Sequence, residues 1–97
     1  MFLEIVSPEA TLFSSEVDAV TVPGVEGAFQ MLNNHAPIVS VLTEGVIKIN
    51  VHTQSHLVLD DLHGTVVPHI DDPKVLTVKI NSGTVEMKDN KVIILAD

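Results

Sequence analysis

Apolar and polar residues alternate along most of this chain, and alternation at every second position predicts strands. The clearest case is Val46 to His52, where Ile47, Ile49 and Val51 face one way and Lys48, Asn50 and His52 the other. Leu76, Val78 and Ile80 alternate with Thr77 and Lys79, and Val85 and Met87 with Thr84, Glu86 and Lys88. Phe2 to Val6 reads as a first strand, with Leu3 and Ile5 opposed to Phe2, Glu4 and Val6. Leu12 to Val22 reads as one long extended segment, whose mixed pattern predicts a bend or bulge near Ser14-Ser15. Short strands are also expected at Ala28 to Leu32, Ile38 to Leu42, His56 to Leu62 and Thr65 to Val67. Lys91 to Ala96 is apolar without interruption from Val92, which suits a strand covered on both sides.

Turn signals separate these runs. Ser7-Pro8-Glu9, Thr43-Glu44-Gly45, Thr53-Gln54-Ser55, Asn81-Ser82-Gly83 and Asp89-Asn90 each fall between alternating stretches. No segment has the spacing of an amphipathic helix. The expectation is an all-β fold, a sandwich of two packed sheets of about eight to ten short strands, forming a single domain over residues 1–97.

One stretch breaks the alternation. In Val22 to Pro37, VPGVEGAFQMLNNHAP, the pairs Pro23-Gly24 and Asn33-Asn34, with Gly27 and Pro37, mark turns and close backbone approaches. Val25, Phe29, Met31 and Leu32 lie between those breaks. A solvated loop has little use for such residues. Either the segment folds into the core or it offers an apolar surface to a partner.

Composition removes several function classes. Thirteen acidic residues against five lysines and no arginine give a net charge of -8, which cannot neutralise phosphates. Nucleic-acid binding is excluded on that ground, and an anionic lipid surface is disfavoured. With no cysteine, disulfides and thiolate sites are absent. No run approaches the length of a membrane span, so direct membrane insertion is not expected. The amino terminus has neither a basic region nor an apolar stretch of the kind a signal peptide carries.

Candidate chemistry is thin. His52 and His56 are four apart, a spacing that aligns ligands on a helix but not on a strand. A hairpin at Thr53-Gln54-Ser55 would bring them opposite each other, with Asp60, Asp61 or His63 to complete a site. An independent metal- or ligand-binding sandwich using His52 to His69 is therefore the alternative function. The plainer reading makes these residues exposed polar groups on a hairpin and loop. Asp60-Asp61 and Asp71-Asp72 are adjacent pairs whose side chains diverge on a strand, so they suit turns better than acid-base work. Neither a nucleophile elbow nor a phosphate-binding glycine loop is present. No cofactor and no catalytic residue is expected.

The segments MFLEIVSPEATLF, VDAVTVPGVEGAFQMLNNHAPIVSVLTEG and SGTVEMKDNKVIILAD resemble the epsilon subunit of the F-type ATP synthase. The likeness runs inward from both ends, and its most specific part is PG-x-EG followed by N-H-A-P. The resemblance implies the amino-terminal β-sandwich of that family, a non-enzymatic part of the central stalk. Its implied partners are the gamma subunit and the c-subunit ring, its implied task the coupling of proton flow to ATP synthesis. Its implied location is peripheral to the bacterial inner membrane, on the cytoplasmic side. By the same resemblance, the end that meets the ring comprises Glu26, Gly27, Ala28, Phe29, Gln30 and Met31, with His35, Ala36 and Pro37 nearby.

The chain departs from the family pattern at several positions. Ala28 stands where an acid is common, Gln30 where Gly is common, and Asn33 where Pro is frequent, which implies a ring contact less dependent on charge. His35 also has a simpler role available, as a partly buried histidine holding its own turn. The carboxy-terminal helical hairpin usual in the family does not follow Asp97 in this sequence. A docking role further predicts exposed apolar residues on one sheet face.

Overall fold

A computed structural model describes residues 1–51, 66–68 and 74–97. The described residues form ten strands and no helix: β1 (Phe2–Val6), β2 (Thr11–Glu16), β3 (Ala19–Gly24), β4 (Gly27–Leu32), β5 (Ile38–Leu42), β6 (Gly45–Asn50), β7 (Val66–Pro68), β8 (Val75–Ile80), β9 (Gly83–Lys88) and β10 (Lys91–Ala96). The expected strand at His56 to Leu62, the Thr53-Gln54-Ser55 connection and the whole histidine constellation lie outside the described residues.

The strands run in the order β2-β1-β10-β9-β5-β3-β6-β8-β7, with β4 on the other side of β3. One link in that path is thin. β5 and β3 share a single residue pair, Gly24 with Leu42. On either side of this link lie two layers, β2-β1-β10-β9-β5 and β4-β3-β6-β8-β7. We call them the first and second sheets. Every pairing is antiparallel except β1 with β10, which is parallel over five residue pairs.

The alternation seen in the sequence is the packing of these layers. Leu3, Ile5, Val85, Met87, Val92 and Ile94 from the first sheet meet Val20, Val22, Ile47, Ile49, Leu76 and Val78 from the second in one buried cluster. No polar or charged residue is buried among the described residues. The core is therefore held by apolar burial, at roughly 25 cal/mol per Å² of apolar surface removed from water.

Two local expectations are corrected. The bulge predicted near Ser14-Ser15 lies at Leu12. Ile5 pairs with Phe13 and Val6 with Thr11, so Leu12 is the extra residue. It lets two consecutive apolar side chains, Leu12 and Phe13, both reach the core. The long segment to Val22 is two strands rather than one. It breaks at Val17-Asp18, where the Val17 N–H donates to the Met1 carbonyl in the first sheet (2.8 Å) and the Asp18 N–H to the Asn50 carbonyl in the second (2.8 Å). The chain changes layers at that point.

Strand β10 is corrected too. It is covered on one side only. Val92, Ile94 and Ala96 are buried, Ile93 is half-buried and Leu95 is 55% exposed. Its uninterrupted apolar sequence records one face in the core and one face that a lone domain leaves in water.

Candidate partner-binding surface

The residues from Glu26 to Pro37 occupy an edge of the second sheet. β4 pairs with β3 in perfect register, from Ala19 with Leu32 to Gly24 with Gly27. The hairpin turn is Val25-Glu26, and Gly27 closes it with φ 126°, a conformation open to glycine. Gly24 is needed for a different reason. A Cβ there would lie 2.7 Å from the Gly27 carbonyl oxygen and 2.9 Å from the Phe29 ring. The tight hairpin and the seat of Phe29 both depend on that missing methyl.

Side chains alternate along β4. Met31 points inward and is fully buried, and Phe29 is half-buried against the same core. Ala28, Gln30 and Leu32 are exposed. Met31 is thus corrected from a surface contact to a core residue, because its position in the period-two pattern places it opposite Val20 on the inner face. Glu26, Gly27, Ala28 and Gln30 remain accessible, as do His35, Ala36 and Pro37.

These residues do not gather at one end of the sandwich. Glu26 precedes β4 and Gly27 opens it, while His35, Ala36 and Pro37 follow it, so the length of the strand, roughly 17 Å, separates the two turns. They form a stripe along the outer edge instead. The distal turn is built from polar contacts. The His35 N–H donates to the Leu32 carbonyl (3.1 Å), Asn34 has φ 63°, and its N–H donates to Asn90 Oδ1 (2.7 Å). The Met1 amino group donates to Asn33 Oδ1 and to Glu16 Oε2. His35 is exposed rather than partly buried, and its Nδ1 donates to the neighbouring Ala36 carbonyl at 2.7 Å, so it braces its own turn from the surface.

A second feature adjoins this edge. Reading across the first sheet by register, Val41, Thr84, Leu95, Val6 and Thr11 stand side by side on the outer face. The next row is Val39, Glu86, Ile93, Glu4 and Ser14, and the last is Lys88, Lys91, Phe2 and Glu16. Val39 is 76% exposed and Val41 57%. Two open grooves of about 580 and 620 Å³ flank the first row and share Val41 and Thr84. The larger also touches Glu26, Ala28 and Phe29, so the apolar face and the β4 edge form one continuous surface. Sequence reasoning did not assign this face. A signal was present in β5, where Ser40 takes an inward register position opposite buried Val85 while Val39 and Val41 face out. That order inverts the usual arrangement of a half-buried strand.

Among the described residues no cluster of His, Asp and Glu could hold a metal, and no helix is long and apolar enough to cross a membrane.

The molecule is therefore a two-layer β-sandwich carrying an apolar outer face that continues into an exposed sheet edge. Residues 1–66 match the family model described as "ATP synthase, Delta/Epsilon chain, beta-sandwich domain", and the chain belongs to that family. It is 35% identical over 95 residues to the ATP synthase epsilon chain of Leptospira borgpetersenii, covering 98% of this chain and 59% of that one. It is likewise 35% identical over 97 residues to the ATP synthase epsilon chain of Campylobacter curvus, covering 100% of this chain and 60% of the relative. The chain thus spans about three fifths of the length of these relatives. A shorter match, to the epsilon chain of Rhodopseudomonas palustris, is 52% identical over 46 residues, 47% of this chain and 34% of that one. Among solved structures, the fold is similar to a chain from the central stalk and c-ring of the Tetrahymena thermophila mitochondrial ATP synthase. That match has a TM-score of 0.68 at 14% identity and covers 98% of this chain and 61% of that one. At that identity the likeness is one of fold.

Proposed function

We propose that this domain is a non-catalytic rotor component of a proton-translocating F-type ATP synthase, linking the gamma subunit to the c-ring. The observation that carries the proposal is the exposed apolar side chains on the outer face of the first sheet. Val39, Val41 and Leu95 are each more than half exposed in a protein whose charge would readily have supplied polar residues there. Large exposed apolar patches mark interaction surfaces. In this reading the outer face of β5, β9, β10 and β1 docks on gamma. The β4 edge, with Glu26, Gly27, Ala28, Gln30, His35, Ala36 and Pro37, faces the ring, and Phe29 contributes from its half-buried position.

The mechanism is mechanical. Ion flow turns the ring, and a stiff sandwich clamped to both ring and shaft passes the rotation to gamma, so that nucleotide chemistry takes place elsewhere. A core in which no described polar side chain is buried, with the described strands paired, suits a joint that must not yield under torque. Each stable interface of this kind buries about 800 Å² per partner. The subunit then sits peripheral to the bacterial inner membrane, on its cytoplasmic side.

The test is reconstitution. The protein is mixed with purified gamma, with purified c-ring and with both, and the species are separated by size, with and without chelator. A ternary complex indifferent to chelator is expected. Failure to bind gamma, together with stoichiometric metal uptake, would contradict the proposal and favour a metal-binding domain.

A further inference from the structure

We infer that Asn90 is a positioning residue for the ring-facing turn, holding the His35–Pro37 segment of the second-sheet edge against the first sheet. The inference rests on the ring-contact reading above. Asp89 and Asn90 form the two-residue turn between β9 and β10, with φ 53° and 60°. Turns of this shape need two left-handed residues, for which glycine is a common choice and asparagine is tolerated. Glycine would have served the turn equally well. The side chain that asparagine adds is in use.

Its Oδ1 accepts the Asn34 N–H at 2.7 Å, across 56 positions of sequence. The Asn90 backbone carbonyl accepts the Phe2 N–H at 3.1 Å. One residue thus joins three elements: the β9–β10 hairpin, the start of β1, and the turn that ends β4. The turn's own bond, from His35 to Leu32, fixes how the chain reverses. It does not fix where the turn sits relative to the other sheet. Among the described residues β4 pairs only with β3, in the second layer, whereas Asn90 belongs to the first. Beside the Met1 amino group's bond to Asn33 Oδ1 and the pairing of Ile38 with Met87, the Asn90–Asn34 bond supplies a reference at the turn itself. It contributes to the direction in which His35, Ala36 and Pro37 are presented.

Two substitutions separate this role from simple turn stability. Asn90→Gly keeps the left-handed conformation and removes the acceptor. Asn90→Asp keeps an acceptor at the same place. Three readouts apply to each variant of this chain: hydrogen exchange at the Asn34 amide, exchange across β9 and β10, and affinity for purified c-ring and purified gamma separately. In Asn90→Gly, Asn34 exchange is expected to quicken about fivefold, the size that the loss of one ordinary hydrogen bond implies. Affinity for the ring should fall by a similar factor, while β9–β10 protection and gamma affinity hold. Asn90→Asp should restore both lost properties. The inference is overturned if Asn34 exchange does not change in Asn90→Gly, if ring affinity stays constant although exchange quickens, or if Asn90→Asp restores neither. An unsubstituted protein that binds gamma but not the ring overturns the ring-contact reading itself, and the positioning role with it.

Discussion

The two outer faces of the sandwich are built on similar strands and clothed differently. Across the second sheet the outward row reads Val67, Thr77, Lys48, Thr21 and Gln30, with Val46 beside Lys79 in the next. Across the first it reads Val41, Thr84, Leu95, Val6 and Thr11. The inward rows are apolar in both sheets except on the edge strands of the first, where Ser40 stands opposite Val85 and Ser15 opposite Leu3. Folding therefore accounts for one side of each strand. It does not account for the large apolar side chains that face water, Val39, Val41 and Leu95 on the first sheet and Val46, Val67 and Leu32 on the second. On the first, Val41 and Leu95 share one row, while on the second Val67 stands among Thr77, Lys48, Thr21 and Gln30. Under the proposed docking, the difference separates what the chain needs in order to fold from what it presents to gamma.

The largest expected effect comes from ignoring that division. Met31→Asp places a carboxylate at a site with no exposure and no polar neighbour buried nearby. It should cost at least about 4 kcal/mol and leave a domain this small largely unfolded. Urea denaturation checks it, and a cooperative transition near that of the unsubstituted protein would place Met31 outside the core.

A sharper contrast uses adjacent residues of β10. Ile94→Ala should cost about 2–5 kcal/mol, because it empties a fully buried site. Leu95→Ala, one residue further along the strand and 55% exposed, should stay within about 0.5 kcal/mol. If both cost the same, the outer face is structural rather than reserved for a partner.

A smaller effect tests the hinge between the proposed surfaces. Gly24→Ala puts a methyl 2.7 Å from the Gly27 carbonyl and against the Phe29 ring. About 1–3 kcal/mol of destabilisation is expected. The shift should appear in thermal melting, and Phe29→Leu should relieve part of it, since the backbone component of the clash remains.

The alternation in the sequence located nearly every described strand, because a half-buried strand writes its burial pattern directly into residue order. β1 and β5 begin and end where the pattern says, and Ile47, Ile49 and Val51 are buried while Lys48 faces out. Where two demands met, order alone was ambiguous. Leu12 and Phe13 both face the core through a bulge, which a strict period of two does not describe. Val92 to Ala96 looks the same whether its second face meets protein in the same chain or in another. The site was partly legible. The Gly- and Pro-marked segment stands out in composition, but its arrangement along an edge rather than at one end follows from β4 being a full strand. The contact between Asn34 and Asn90 joins distant positions, and no local pattern encodes it.

The absence of cysteine from these 97 residues allows the two faces to be compared directly. Single substitutions Val41→Cys on the first sheet and Lys48→Cys on the second, both at exposed positions, would be labelled with a maleimide with and without purified gamma. The account predicts that gamma slows labelling at position 41 by more than about tenfold, the mark of a well-desolvated interface core, and leaves position 48 unchanged. Slowing at position 48 with position 41 still freely labelled would contradict it.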